Sequence, residues 1–143
     1  MSTTALDTSI LVAAICSWHE SHETALRALR SAEKDGKLIL PSPALVEAYS
    51  VMTRLPSPHR LAPKDAWEAL SRSFQKRASV VVLTGAETWR LIHEAADGGV
   101  AGGSTYDAVI LAGARKGRAD RLLTLDRKDF QRLAPDDIEI LIP

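Results

Sequence analysis

The sequence predicts an α/β fold with a central, mainly parallel sheet of about five strands. Short runs of β-branched or leucine residues alternate with longer stretches whose apolar residues recur at helical spacing, and this alternation is typical of parallel sheets. No internal repeat or low-complexity linker interrupts the alternation. The chain has 143 residues, 45% of them hydrophobic. That length and composition suit a single domain over residues 1–143.

Five short apolar runs are the candidate strands. The run "VVVL" is continuously apolar, which predicts a strand buried on both faces. The other runs are short and are bounded by polar or helical segments. The predicted strands are residues 3–6, 38–40, 80–83, 122–125 and 138–142.

Helices fill the intervals between these strands. Pro43 after Ser42 suits the first position of a helix, and Gly117 after Lys116 suits a left-handed residue that ends one. The stretch "GGVAGGST" is interpreted as a flexible connection that lets the chain reverse before the last long helix. The predicted helices are residues 9–17, 23–35, 43–55, 64–77, 87–96 and 106–116, with a short turn near 128–133.

Charge and cysteine content limit the classes of function. Eighteen basic residues balance eighteen acidic ones, so the chain has no net positive charge for long-range attraction to nucleic acid. Any such contact must be local. Residues 115–132 have a local basic surplus, which fits either a phosphate-binding surface or an ordinary solvated one. Cys16 is the only cysteine, which excludes an internal disulfide framework and a thiolate zinc site.

No stretch of the sequence is suited to crossing a membrane. The longest apolar stretches fall short of the roughly 20 residues needed to span a bilayer. The apolar residues after Asp7 do not follow a basic leader of the kind found in signal peptides. The sequence therefore predicts a soluble, cytoplasmic protein.

Four acidic residues map to one edge of the predicted sheet. Asp7 and Asp126 each end a strand, Glu47 lies about one turn into the helix after the second strand, and Asp107 lies in the first turn of a later helix. In a parallel sheet, strand ends and helix starts share the edge at which open α/β folds bind ligands. Each acid also has an ordinary explanation. Asp7 could cap the next helix, Asp107 follows Ser104 at the spacing of a capping box, and Asp126 could cap the next turn with Asp129 in the matching position. Glu47 could be a solvated surface residue.

Convergence of these acids would require a neutralising partner. Two carboxylates about 4 Å apart repel by roughly 4 kcal/mol at an effective dielectric of 20. Raised pKa values can neutralise one or two of the groups. An all-oxygen set without cysteine or paired histidine is also the ligand set that Mg²⁺ or Mn²⁺ prefers. Such an ion can lower the pKa of a bound water and orient it for attack on a phosphodiester.

Four segments, in this order, resemble the acidic motifs of PIN-domain ribonucleases. They are "LDTSIL", "SPALVEAYSVMTRL", "GGVAGGSTYDAVILAGA" and "LLTLDRKDF". The similarity is greatest to the VapC toxins of bacterial type II toxin–antitoxin systems, which have this length and a glycine-rich stretch before the third acid. The resemblance covers nearly the whole chain. It implies a PIN-like α/β/α sandwich.

The resemblance also implies the site and its chemistry. Asp7, Glu47, Asp107 and Asp126 would form the catalytic, metal-binding pocket. The fourth acid varies between aspartate and asparagine in the family, so Asp126 ranks behind the other three. The hydroxyl groups that support the metal ligands would be those of Thr8, Ser9 and Thr124. The implied activity is Mg²⁺- or Mn²⁺-dependent endonucleolytic cleavage of RNA, with transfer and ribosomal RNA both possible substrates.

Two kinds of protein partner follow from the same resemblance. Many VapC toxins are homodimers, and each is inhibited by a cognate VapB-type antitoxin. Residues 44–70 carry apolar side chains on two predicted helices that either form a groove for an antitoxin helix or enter the core. These side chains are Tyr49, Met52, Leu55, Leu61, Trp67 and Leu70.

Two other functions would also place acids at a sheet edge. A phosphatase resembling the haloacid dehalogenase group would use Asp7 as its nucleophile, but it needs a second aspartate at the position that Ser9 occupies. A noncatalytic, receiver-like Mg²⁺-binding module would have paired acids after the first strand and a lysine at a later strand end, and neither is clear here. Both remain alternatives to the ribonuclease interpretation.

Overall fold

A five-stranded parallel sheet forms the centre of the protein. The computed structural model describes residues 1–133 and 135–143, and in these residues the strand order is β3-β2-β1-β4-β5, with every neighbouring pair parallel. The strands are β1 (Ser2–Leu6), β2 (Gly36–Pro41), β3 (Ala78–Val81), β4 (Arg121–Leu123) and β5 (Glu139–Leu141). The predicted α/β fold with about five mainly parallel strands is therefore confirmed.

The helices lie close to the predicted positions. None of those described is long and apolar enough to cross a membrane. The helices are α1 (Thr8–Ile15), α2 (His22–Asp35), α3 (Ser42–Thr53), α4 (Pro63–Phe74), α5 (Gly85–Asp97), α6 (Ser104–Lys116) and α7 (Arg127–Arg132).

Alternate residues of the strands pack into two separate hydrophobic cores, one on each face of the sheet. Leu6 and Leu40 belong to the core covered by α1, α2, α3 and α4, whereas Ala5 and Ile39 belong to the core that includes residues of α6 and α7. This separation follows from strand geometry, since successive side chains point to opposite faces. The sheet is thus the middle layer of a sandwich.

The prediction that "VVVL" is buried on both faces is wrong. The strand in this region, β3, pairs only with β2 and is therefore an edge strand. Val80 is 50% exposed and Val82 is 58% exposed. A continuously apolar run is buried only where other elements cover both faces of the strand. Strand β3 lies at the edge of the sheet, and its exposed valines show that it is not covered in this way.

The prediction that Gly117 ends α6 as a left-handed residue is also wrong, although α6 does end there. Gly117 has φ −79°, and the left-handed residue is Arg118, with φ 59°. Gly117 instead packs closely against the sheet, because an added Cβ would lie 2.3 Å from Cδ1 of Ile39 in β2 and would displace that end of the side chain. The glycine thus allows the end of α6 to approach the sheet closely.

The sheet topology sets the positions of the chain segments at the C-terminal edge. The backbone N–H of Asp7 donates to the carbonyl of Leu123 over 3.0 Å, and the N–H of Thr124 donates to Leu141 over 3.1 Å. The ends of β1, β4 and β5 are therefore adjacent. Gly99 and Gly102 adopt positive φ values in the connection between α5 and α6, in keeping with the predicted chain reversal.

Candidate active site

Among the described residues, six acidic side chains line one cavity at this edge of the sheet, and five of them lie at the strand ends or on the helices beside them. The cavity has a volume of about 1350 Å³ and is here called the acidic pocket. The five acids come from the end of β1, from α3, from the first turn of α6, and from the residue before α7 and α7 itself. These five are Asp7, Glu47, Asp107, Asp126 and Asp129, and the sixth acid, Glu20, lies in the turn between α1 and α2.

Asp129 is one of two acids, the other being Glu20, that line the pocket and that the sequence analysis did not place in the site. It was interpreted only as a possible capping partner of Asp126, three residues earlier. In the structure it lies on the short helix α7 and faces the same pocket as Asp107 and Asp126. The signal was in the sequence, because residues three apart on a helix lie on one face.

Two hydroxyl groups fix the orientation of Asp7. The carboxylate is buried, with 3% of the residue exposed. Its Oδ2 accepts hydrogen bonds from Thr124 Oγ1 at 2.7 Å and from Ser9 Oγ at 2.8 Å. Ser9 Oγ in turn accepts a hydrogen bond from the backbone N–H of Leu125 at 2.9 Å. These bonds connect the end of β1, the start of α1 and the segment after β4.

The other predicted hydroxyl contacts also involve the acids. Thr8 Oγ1 donates to the carbonyl of Ala44 at 3.2 Å and to Glu47 Oε2 at 3.4 Å. Thr124 Oγ1 accepts from the backbone N–H of Asp126 at 3.0 Å. Thr8 and Thr124 are buried, so these bonds join α1 to α3 and hold the chain beside Asp126.

The acids do not make the helix-capping hydrogen bonds that the sequence analysis considered. Asp7 and Asp126 precede α1 and α7, but neither side chain makes a capping hydrogen bond. Gly103 is the residue that precedes α6, and it cannot form the predicted capping box with Asp107. In the part of the chain that is described, no salt bridge involves any of the five acids. Among the described residues, none of these carboxylates is therefore held in an ion pair with an arginine or lysine.

This arrangement raises the pKa of two carboxyl groups. The pKa of Asp107 is raised to about 6, first by partial burial and then by the negative charges of Asp129, Asp7, Asp126 and Glu47. Burial also raises the pKa of Asp126, and the charges of Asp7, Asp129 and Glu47 add to this effect. A cation in the pocket would relieve this repulsion.

The donor set fits a hard divalent cation that retains water ligands. Within residues 1–133 and 135–143, no three His, Cys, Asp or Glu side chains form a ready-made cluster around one point. Mg²⁺ does not need one, because it usually keeps several waters and binds through one or two carboxylates. The acids offer only oxygen ligands, and this together with their mutual repulsion favours such an ion over zinc.

Divalent-ion affinity should decrease at acidic pH. Asp107 takes up a proton as the pH falls below about 6, and a protonated carboxyl is a poor ligand. The affinity for Mn²⁺, measured by calorimetric titration, should therefore fall about tenfold between about pH 7.5 and about pH 5. Asp107→Asn should bind more weakly at neutral pH and depend less on pH. Equal affinity of the unsubstituted protein at both pH values would contradict the expectation.

Little of the predicted basic surface reaches the pocket. Arg115 pairs with Asp137 at 2.7 Å, Lys116 with Glu87 at 2.6 Å, and Arg121 with Asp35 at 3.3 Å. Arg132 lines the acidic pocket, and so do Arg54 and His19 from other parts of the chain. Any electrostatic contribution to phosphate binding there comes from Arg132 of the predicted segment, together with Arg54 and His19 from outside it.

An apolar groove lies beside the acidic pocket, between α3, α4 and β3. It has a volume of about 370 Å³. Three of the six predicted residues line it, namely Tyr49, Trp67 and Leu70, whereas Met52 is fully buried in the core. Val46 lines both the groove and the acidic pocket, so the two are adjacent. The other lining residues are Leu40, Leu45, Ser71, Phe74, Gln75, Ala78 and Val80.

Comparisons with known proteins agree with the fold. The PIN domain family matches residues 4–135 of this chain. Ribonuclease VapC40 of Mycobacterium tuberculosis is 40% identical over 120 residues, which are 84% of each chain. Ribonuclease VapC27 of Mycobacterium tuberculosis is 35% identical over 126 residues, covering 87% of this chain and 85% of the relative.

Solved structures share the fold over nearly the full length. VapC20 of Mycobacterium tuberculosis, described as a toxin that cleaves the sarcin–ricin loop, gives a TM-score of 0.73 at 19% identity and covers 95% of this chain and 98% of that one. VapBC2 of Rickettsia felis, bound to a promoter DNA fragment, gives a TM-score of 0.67 at 21% identity, with 99% and 98% covered. Given these matches and the sequence identity to VapC40 and VapC27, the chain belongs to the PIN-domain family and, within it, to the VapC ribonucleases.

Proposed function

We propose that this protein is the toxin of a VapBC-type system and a metal-dependent endoribonuclease that hydrolyses RNA phosphodiester bonds. The observation that carries the proposal is the acidic pocket, in which partial burial and the charges of neighbouring carboxylates raise the pKa values of Asp107 and Asp126. Family membership supports the nuclease activity, since the two relatives are named ribonucleases. The phosphatase and receiver-like alternatives are not favoured.

We assign the metal-binding and catalytic role to Asp7, Glu47, Asp107 and Asp126. A Mg²⁺ or Mn²⁺ ion bound by these carboxylates would supply Lewis-acid polarisation of the phosphodiester and a more acidic water. Ser9 and Thr124 hold one carboxylate oxygen of Asp7 in a fixed position. Thr8 contacts Glu47 and restricts its side chain.

The experiment is a cleavage assay on the purified, antitoxin-free protein. Transfer RNA and ribosomal RNA should be cut at internal positions with Mg²⁺ or Mn²⁺ present, and cleavage should stop when EDTA is added. An excess of Mg²⁺ should restore it. Cleavage that persists in EDTA would reject the metal-dependent mechanism, and a covalent phosphoenzyme trapped at Asp7 would favour the phosphatase alternative.

We further propose that a VapB-type antitoxin inhibits the enzyme by placing a helix in the apolar groove. Structures of VapBC complexes are among those that share this fold. An amphipathic helix places its apolar side chains in such a groove, and exposed Trp67 and Tyr49 offer aromatic surface there. The family resemblance also supports a location in the cytoplasm and a homodimeric state. Sedimentation of the purified toxin would test the homodimer.

A further inference from the structure

Tyr106 is an exposed aromatic side chain at the acidic pocket that the proposed chemistry does not use. It lies in the first turn of α6, next to Asp107 in the sequence. It is 70% exposed, although large aromatic side chains usually bury most of their surface. It nevertheless lines the same cavity as the five acids. The ring of Tyr106 is therefore accessible to a ligand that enters the pocket.

The space around Tyr106 is open. Gly103 and Ala101 line the pocket near the start of α6. A Cβ added at Gly102 or Gly103 would meet no atom within 4 Å outside the adjacent residues. The cavity, at about 1350 Å³, is also larger than the roughly 300–1,000 Å³ of a typical small-ligand site. It therefore has room for groups on either side of a reacting phosphodiester.

The cationic side chains of the pocket indicate what those groups are. Arg54 follows α3, and its Nη1 donates to Ser50 Oγ at 3.1 Å. Arg132 is the last residue of α7. Both line the pocket. Basic side chains for the backbone together with an aromatic face for a base are the combination by which proteins bind single-stranded nucleic acid.

We propose that the ring of Tyr106 stacks on an unpaired nucleobase of the RNA adjacent to the scissile phosphodiester bond. This inference rests on the ribonuclease function proposed above. All four bases have a π-face, so the stack would select an unpaired, accessible nucleotide more than a particular base. The favoured substrates would then be loops and single strands, in which a base can leave its neighbours at low cost.

A fluorescent base analogue tests the stack directly. The probe is a 12-nucleotide single-stranded RNA with 2-aminopurine at each position in turn, bound in Ca²⁺ to limit cleavage. The unsubstituted protein and Tyr106→Phe should quench the analogue at one or two adjacent positions. Tyr106→Leu and Tyr106→Ala should not, because they remove the ring. Loss of one stacked base should weaken RNA binding by about 5- to 100-fold.

The matched control is Trp89→Ala. Trp89 is 78% exposed on α5 and is not among the residues that line the acidic pocket. This variant should bind and quench as the unsubstituted protein does. Equal quenching by Tyr106→Ala, or no position-dependent quenching by the unsubstituted protein, would overturn the proposal.

Cleavage kinetics separate this proposal from the nuclease function. Tyr106→Ala should raise KM for RNA with a smaller effect on kcat, because the stack contributes to ground-state and transition-state binding alike. Absence of cleavage by the unsubstituted protein would reject the nuclease proposal, and the quenching assay would still decide the stack. If Tyr106→Ala alters only inhibition by the antitoxin, the residue is a protein contact and the stacking proposal is wrong.

Discussion

Asp7→Asn should lower the rate of RNA cleavage by about 10²- to 10⁴-fold, since metal-ion catalysis contributes several kcal/mol and each 1.36 kcal/mol is a factor of ten. Asp7 is the most buried acid of the pocket, and two hydroxyl groups hold it in place. The substitution preserves the shape of the side chain and removes its charge. We expect the loss to appear in single-turnover cleavage and in weaker Mn²⁺ binding.

The fold should survive this substitution. The amide oxygen of asparagine can still accept a hydrogen bond from Ser9 or Thr124. Removing one negative charge also lowers the electrostatic repulsion that, after partial burial, raises the pKa of Asp107. The midpoint of thermal unfolding in EDTA should therefore change little. Asp65→Asn, at an exposed aspartate in the first turn of α4, is the matched control and should cleave normally. Undiminished cleavage by Asp7→Asn would remove the proposed mechanism.

Trp67→Ala should weaken antitoxin binding by about 30-fold or more, as expected for a central aromatic contact worth at least about 2 kcal/mol. Trp67 is 59% exposed and lines the apolar groove, so it offers a large surface that the toxin itself does not bury. Calorimetric titration with the antitoxin encoded beside the toxin gene would measure the change.

The controls for this prediction address folding and location. Because Trp67 is exposed, its removal should shift thermal unfolding only slightly, which would distinguish a lost contact from a damaged fold. Trp89→Ala removes an equally large exposed side chain from α5 and should leave antitoxin affinity unchanged. If both substitutions weaken the complex equally, or neither does, the groove is not the docking site.

Local sequence patterns predicted most of the fold. The alternation of apolar runs and helical periods gave the order and approximate bounds of the strands and helices, because each pattern reflects which face of an element is buried. It did not give the place of a strand in the sheet. The run "VVVL" looks fully buried in the sequence, yet β3 is at the edge. Strand order depends on pairing between distant segments, which local composition does not encode.

Gly117, at the end of α6, likewise has one feature that the sequence predicts and one that depends on a distant segment. The sequence predicts a helix end near Gly117, and α6 does end there. The reason, close packing against Ile39, involves a strand almost eighty positions earlier. A contact of this kind is visible only once the two elements are packed together.

For the site, the sequence by itself determined which residues are acidic, that four of them occur at strand ends or helix starts, and which hydroxyl residues accompany them. The tertiary structure decided that two further acids, Asp129 and Glu20, line the same pocket, that much of the basic segment pairs elsewhere, and that Tyr106 is exposed at the pocket. The physical reason is that side-chain type and local conformation are properties of short segments. Distance, burial and the resulting pKa values depend on segments more than one hundred residues apart, such as Asp7 and Thr124, and only the packed sheet brings these together.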